Sequence, residues 1–184
     1  MVPHGDSSAK PLSCYYRAMR SQGQYRIEVQ IARPFRWAVR APWLRRIACH
    51  VLLAEGVGPT EMGVVITDDA TIHELNRRFL GIDEPTDVLS FGLGGQGDRP
   101  FALPPDEVAS LGEVIVSYPT VVRQAEEQGH SVQSEVSHLL VHGILHLLGY
   151  DHEGAEDERI MRQRSEEILA GLDLEGASFD NVRR

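Results

Sequence analysis

His142, His146 and His152 fall in one short window, and their spacing suits a metal ion. Four residues apart on a helix, His142 and His146 project from one face, about 6 Å apart along the axis. Two imidazoles so placed converge on a tetrahedral ion at roughly 2.0–2.1 Å per bond. Gly149 then ends the helix, because glycine takes the left-handed cap conformation without a Cβ penalty. The chain turns, and His152 returns over the helix end with a third nitrogen. Three neutral imidazoles with no thiolate leave one coordination position for water, the pattern of a catalytic rather than a structural zinc site. Ordinary partly buried histidines are the bland alternative; the glycine and the third histidine argue against it. His138 lies one turn before His142, some 12 Å from His146 along the helix, so it cannot share their ion. It is expected to touch a ligand, face a substrate or lie on the surface.

The same His-x-x-x-His-x-x-Gly-x-x-His spacing occurs in metzincin peptidases, which carry a glutamate general base directly after the first histidine. Here that position is Gly143, so peptide hydrolysis lacks its base. Phosphodiester cleavage asks instead for activated water and for charge to offset a phosphate, a task the planar guanidinium of arginine suits.

The run from His142 to His152 resembles the H-G-x-L-H-L-x-G-Y-D-H signature of the YbeY-type rRNA maturation endoribonucleases. Leu75-Asn76, Pro85-Thr86-Asp87-Val88-Leu89-Ser90-Phe91 and Leu111-Gly112-Glu113-Val114-Ile115-Val116-Ser117 fit the same family in the same order. The resemblance runs from about Tyr25 to Leu172. It implies a zinc-dependent, single-strand-specific endoribonuclease that matures the 3′ end of 16S rRNA and serves ribosome quality control. Its partners would be rRNA and the small ribosomal subunit with its proteins. Imidazole ligands also suit nickel, copper and iron. One departure stands out. After Leu-Asn the family pattern runs two residues, an aromatic and then an arginine thought to be functional; here Phe79 is followed by Leu80. Arg77, three positions before Leu80, is the candidate to supply that charge from one turn back, ahead of Arg78. Both arginines facing solvent is the plainer account. Asp87 is a candidate near the metal cleft, with a turn or capping role as its alternative. Asp151 can orient a ligand imidazole or serve the turn. A non-catalytic ribosome assembly factor with a structural metal is the competing function, and Leu80 is what favours it.

These residues need a scaffold. Tyr25–Ile31 alternates and predicts a first strand. A helix is expected over 42–55, ended by Gly56, and a second strand over 62–67, buried on both faces. Asp68 or Asp69 caps a helix through Phe79 with Ile72, Leu75 and Phe79 inward. Strands follow over 87–91 and 112–117, separated by an exposed Gly- and Pro-rich loop. A helix from Pro119 to Gln128 stops at Gly129, and Ser131 caps the long histidine helix. A last helix over 156–172 turns Ile160, Met161, Ile168 and Leu169 inward. The expectation is one α+β domain, with a small mixed four-stranded sheet and about five helices. The metal site sits at the C-terminal end of the long helix. Residues 1–24 read as a flexible extension, with Met19 as an alternative start, 25–172 as the endoribonuclease domain and 173–184 as a loose tail.

A chain of 184 residues suits one domain with a sizeable core. No apolar run approaches a membrane span and no signal-peptide pattern opens the chain. Cys14 and Cys49 form no disulfide framework, so a cytoplasmic protein with reduced thiols is expected. Net charge is −9, which argues against wholesale nucleic-acid binding. Its distribution is uneven: residues through His50 carry +7 and the remainder −16. That asymmetry permits a local basic face for phosphates on an acidic body.

Overall fold

A computed structural model describes residues 24–92, 108–150 and 154–172. Four strands, β1 (Tyr25–Ile31), β2 (Thr60–Thr67), β3 (Val88–Gly92) and β4 (Ala109–Ser117), form one sheet in the order β1-β2-β4-β3. β1, β2 and β4 run parallel, and β3 lies antiparallel on the edge. The helices are α1 (Ala41–Ala54), α2 (Asp69–Leu75), α3 (Tyr118–Gln128), α4 (Val132–Leu147) and α5 (Ala155–Gly171). This is the α+β, mixed four-stranded architecture expected. Among the described residues, no helix is long and apolar enough to cross a membrane.

Apolar periodicity decides what packs where. On α1, Trp43, Leu44, Ile47, Ala48, Val51 and Leu52 recur at helical spacing and are buried. They meet Val64, Ile66, Val114 and Val116 from the sheet, and Leu140, Val141, Ile144 and Leu145 from α4, in one core. The opposite sheet face is thinly covered: Ile72 of α2 packs with Leu89 and Ile115 in a small second cluster. β2 is therefore not buried on both faces. Thr60, Met62, Val64 and Ile66 are buried and alternate with half-buried Glu61, Gly63 and Val65, because only one face meets the main helical layer.

Three local devices set the histidine helix. Ser131 accepts a hydrogen bond from Ser134 N at 3.1 Å, capping α4 at its start. At its end Gly149 (φ 93°) donates to His146 O at 3.0 Å and Tyr150 N donates to Leu145 O at 3.0 Å, a Schellman cap. Between them Gly143 allows close approach to the sheet. A Cβ there would lie 2.6 Å from Val114 Cγ1 and 3.1 Å from Ser90 Oγ.

Two inward stripes differ from expectation. α2 stops at Leu75 and a single π-turn follows over Asn76–Leu80, ended by Gly81 (φ 72°). The wider turn breaks the α-helical stripe, so Phe79 is 59% exposed while Asn76 is buried. Asn76 Nδ2 donates to Glu84 O at 2.8 Å, which satisfies the buried amide. On α5, Met161, Ser165 and Ile168 form the buried stripe and Leu169 is half-buried. Ile160, one residue off that stripe, is 43% exposed.

Candidate metal centre

His142 and His146 face each other on α4 with Nε2 atoms 3.1 Å apart and ring planes at 86°. His146 Nδ1 lies 3.0 Å from Tyr150 O. A carbonyl only accepts, so Nδ1 carries the proton and Nε2 keeps its lone pair. Two ligands of a tetrahedral zinc at 2.0–2.1 Å stand about 3.3 Å apart, so the observed separation fits a shared ion. His152 and Asp151 lie outside the described residues. Among the described residues, no group of three His, Cys, Asp or Glu side chains is placed to hold an ion.

Tyr150 is itself clamped. Its hydroxyl donates to Glu55 Oε2 at 2.9 Å, and Arg164 Nε donates to Glu55 Oε1 at 2.6 Å. Arg164 also donates to Ala54 O at 2.8 Å, tying the end of α1 to α5. Burial, then the Glu55 contact, pushes the Tyr150 hydroxyl above its ordinary pKa, so it stays a donor. The carbonyl that sets the His146 tautomer is thus fixed by residues from three helical segments. Sequence reasoning did not single out Glu55, Tyr150 or Arg164 as site residues. Tyr150 lies inside the signature, whereas Glu55 and Arg164 are 109 positions apart and carry no sequence signal.

The two histidines line a cleft of about 490 Å³ whose opposite wall is the start of β3. Leu80 of the π-turn, Thr86 and Asp87 just before β3, and Ser90 within it line the cleft as well. Asp87 is held there: Oδ1 accepts from Val88 N at 2.8 Å and Oδ2 from Gln124 Nε2 at 2.9 Å. Ser90 Oγ donates to Gly143 O at 3.0 Å, fastening β3 to the helix between the histidines. A side chain at Gly143 would therefore point at Val114 and Ser90 of the sheet, and a glutamate there would collide with Val114.

Arg77 is not among the cleft residues. Its guanidinium is engaged by Glu74, Nη2 lying 2.9 Å from Oε1 and 2.7 Å from Oε2. In the π-turn, residues three apart no longer stack as they do on an α-helix, so Arg77 does not overlie Leu80. Arg78 lies over the Phe79 ring at 5.4 Å. Leu80 itself does line the cleft. His138 is exposed and flanks a separate cleft of about 300 Å³ between α4 and α5, its ring centroid 6.4 Å from that of His142.

The fold and cleft define a class: an α+β protein whose central helix offers a matched imidazole pair to an acid-bearing groove. Comparison with known proteins gives the family. The model of the Endoribonuclease YbeY family matches residues 33–173, and the chain belongs to that family. It is 51% identical over 132 residues to Endoribonuclease YbeY of Pelotomaculum thermopropionicum, covering 71% of this chain and 85% of the relative. It is 45% identical over 150 residues to that of Roseiflexus castenholzii, covering 80% and 93%. In three dimensions it is similar to a Thermotoga maritima protein solved in solution. The TM-score is 0.51 at 25% identity, covering 86% of this chain and 99% of the other.

Proposed function

We propose that the chain is a zinc-dependent endoribonuclease acting on single-stranded RNA. Its place is the cytoplasm, in 16S rRNA 3′-end maturation and ribosome quality control on the small ribosomal subunit. The observation that carries this is the 3.1 Å approach of the His142 and His146 Nε2 atoms inside a groove that also holds Asp87, in a chain of this family. His142, His146 and His152 would hold the ion. Zinc there supplies a Lewis acid that acidifies water and offsets charge growing on a phosphate oxygen.

The chain's own residues do the rest. Tyr150 O keeps the His146 proton on Nδ1 and so leaves Nε2 free to ligate. Asp87, held by Val88 N–H and Gln124, presents a fixed acceptor for a ribose hydroxyl at the opposite wall. Leu80 offers that wall no charge, so transition-state stabilisation by a cation is weaker here than in relatives with arginine. The same residue favours a second reading, an assembly factor whose metal is structural.

A labelled, unstructured RNA incubated with metal-analysed protein decides between them. Wild type is expected to cut it, to stop on chelation and to recover with zinc, while His146→Ala loses more than about 100-fold in rate. Intact RNA in every lane, with metal bound and ribosomes added, would sink the nuclease.

A further inference from the structure

Five of the twelve arginines among the described residues are paired with carboxylates. Arg26, Arg77, Arg123, Arg159 and Arg164 each sit within 4.0 Å of a carboxylate. The segment before α1 holds three of the others, Arg33, Arg36 and Arg40. Between Glu28 and Glu55 the chain has no acidic residue and five arginines. Among the described residues, no carboxylate pairs with Arg33, Arg36 or Arg40, and all three are exposed. In a chain of net charge −9, a run of cations without acidic neighbours makes a local positive field suited to an anion.

Their setting is built rather than incidental. Arg36 Nε donates to Ile31 O at 3.1 Å, which holds the guanidinium over the end of β1. Arg36 and Arg40 line a cleft of about 720 Å³ at the carboxyl ends of β1 and β2, beside Ile31 and Thr67. Trp37 stands between them in the chain, 72% exposed. Its indole lines a second cleft of about 300 Å³ with Tyr118 and Val132, which shares Val39 with the arginine cleft. An exposed indole next in the chain to such guanidiniums offers the two forces that hold single-stranded nucleic acid, stacking on a base and charge on the backbone.

The sheet register places this segment relative to the histidines. Ile31 pairs with Ile66, Ile66 with Val116, and Val116 with Val88. Ile31 lines the arginine cleft and Val88 lines the histidine cleft. The two are ends of one row across the sheet, about 14 Å apart at three strand spacings.

We infer that Arg33, Arg36, Trp37 and Arg40 form a docking surface for single-stranded RNA at the far end of the sheet row from the histidine cleft. Phosphates lie on the guanidiniums and a base stacks on Trp37. The inference rests on the endoribonuclease reading, and it assigns grip on the strand to a surface separate from the cutting site. Binding there raises affinity for long substrate without touching the reacting phosphate, so its loss appears in KM.

The test uses the full chain, with anisotropy of a fluorescein-labelled unstructured RNA under chelation for binding and zinc-loaded protein for cleavage. Arg36→Ala/Arg40→Ala is expected to weaken binding at least 10-fold at low salt. The slope of log K against log salt should fall by about 1.4, near 0.7 for each phosphate no longer neutralised. Trp37→Ala should weaken binding by about 5-fold or more while the slope is kept. Arg36→Lys/Arg40→Lys should keep the wild-type slope, which separates charge from misfolding. In cleavage, KM for long RNA rises with kcat unchanged.

Affinity and KM within 2-fold of wild type for the alanine variants, with RNA still cut, would overturn the docking surface and leave the nuclease standing. Arginine-dependent binding without cleavage would do the reverse. Wild type that neither binds nor cuts would overturn both. A changed sedimentation mass in Trp37→Ala with RNA affinity intact would overturn the surface as well and assign the segment to a second copy of the chain.

Discussion

Two helical stretches lie near the histidine cleft, and they transmit their side chains differently. α4 is regular, tethered by the Ser131 cap, the Gly149 cap and the packing of Gly143 on β3 and β4. Its i, i+4 histidines arrive as a pair with Nε2 atoms 3.1 Å apart. The stretch after α2 winds into a π-turn over Asn76–Leu80. There Asn76 turns inward, Phe79 outward, and Arg77 toward Glu74 instead of the cleft. Sequence spacing is a geometric statement only while the hydrogen-bond period holds.

That contrast can be broken at its tightest point first. Gly143→Ala gains about 1 kcal/mol of helix propensity. It should still lower stability by up to about 2 kcal/mol net, because the added methyl overpacks against Val114. The urea midpoint reads this; a variant as stable as wild type would show that α4 can shift off the sheet. On the proposed nuclease reading, Leu80→Arg should raise kcat/KM about 10-fold, or about 1.4 kcal/mol of transition-state stabilisation. An unchanged rate would mean the wall position does not reach the phosphate.

Smaller effects sharpen the other side. Asn76→Ala removes the bond to Glu84 O and leaves a gap in the π-turn, at a cost of about 1 kcal/mol by urea unfolding. A neutral result would mean the turn does not depend on that amide. Arg77→Ala should change kcat/KM by less than 2-fold and leave the urea midpoint where it is in wild type, since an exposed i, i+3 pair contributes little. A 10-fold loss of activity would show that Arg77 leaves Glu74 to meet substrate.

Much of the fold was legible along the chain. Tyr25–Ile31 alternates and is a strand, Ser131 and Gly149 bound the histidine helix, and Gly129 (φ 71°) ends α3. These are local rules, set by side-chain period and by glycine's access to positive φ. Local rules do not see wall against wall. That Gly143 faces Val114, so that a missing base is also a packing requirement, follows only once α4 lies on the sheet. Burial of β2 on one face rather than two likewise depends on where the helical layer ends.

The sequence by itself determined the imidazole pair, because one α-helical turn fixes their relation whatever surrounds them. It also placed five arginines and no acid between Glu28 and Glu55. Tertiary structure alone decided what those residues face. It joined Glu55, Tyr150 and Arg164 into the clamp behind His146, put Leu80 on the cleft wall and drew Arg77 away. The reason is physical: contacts between residues distant in sequence depend on packing geometry, which no local period encodes.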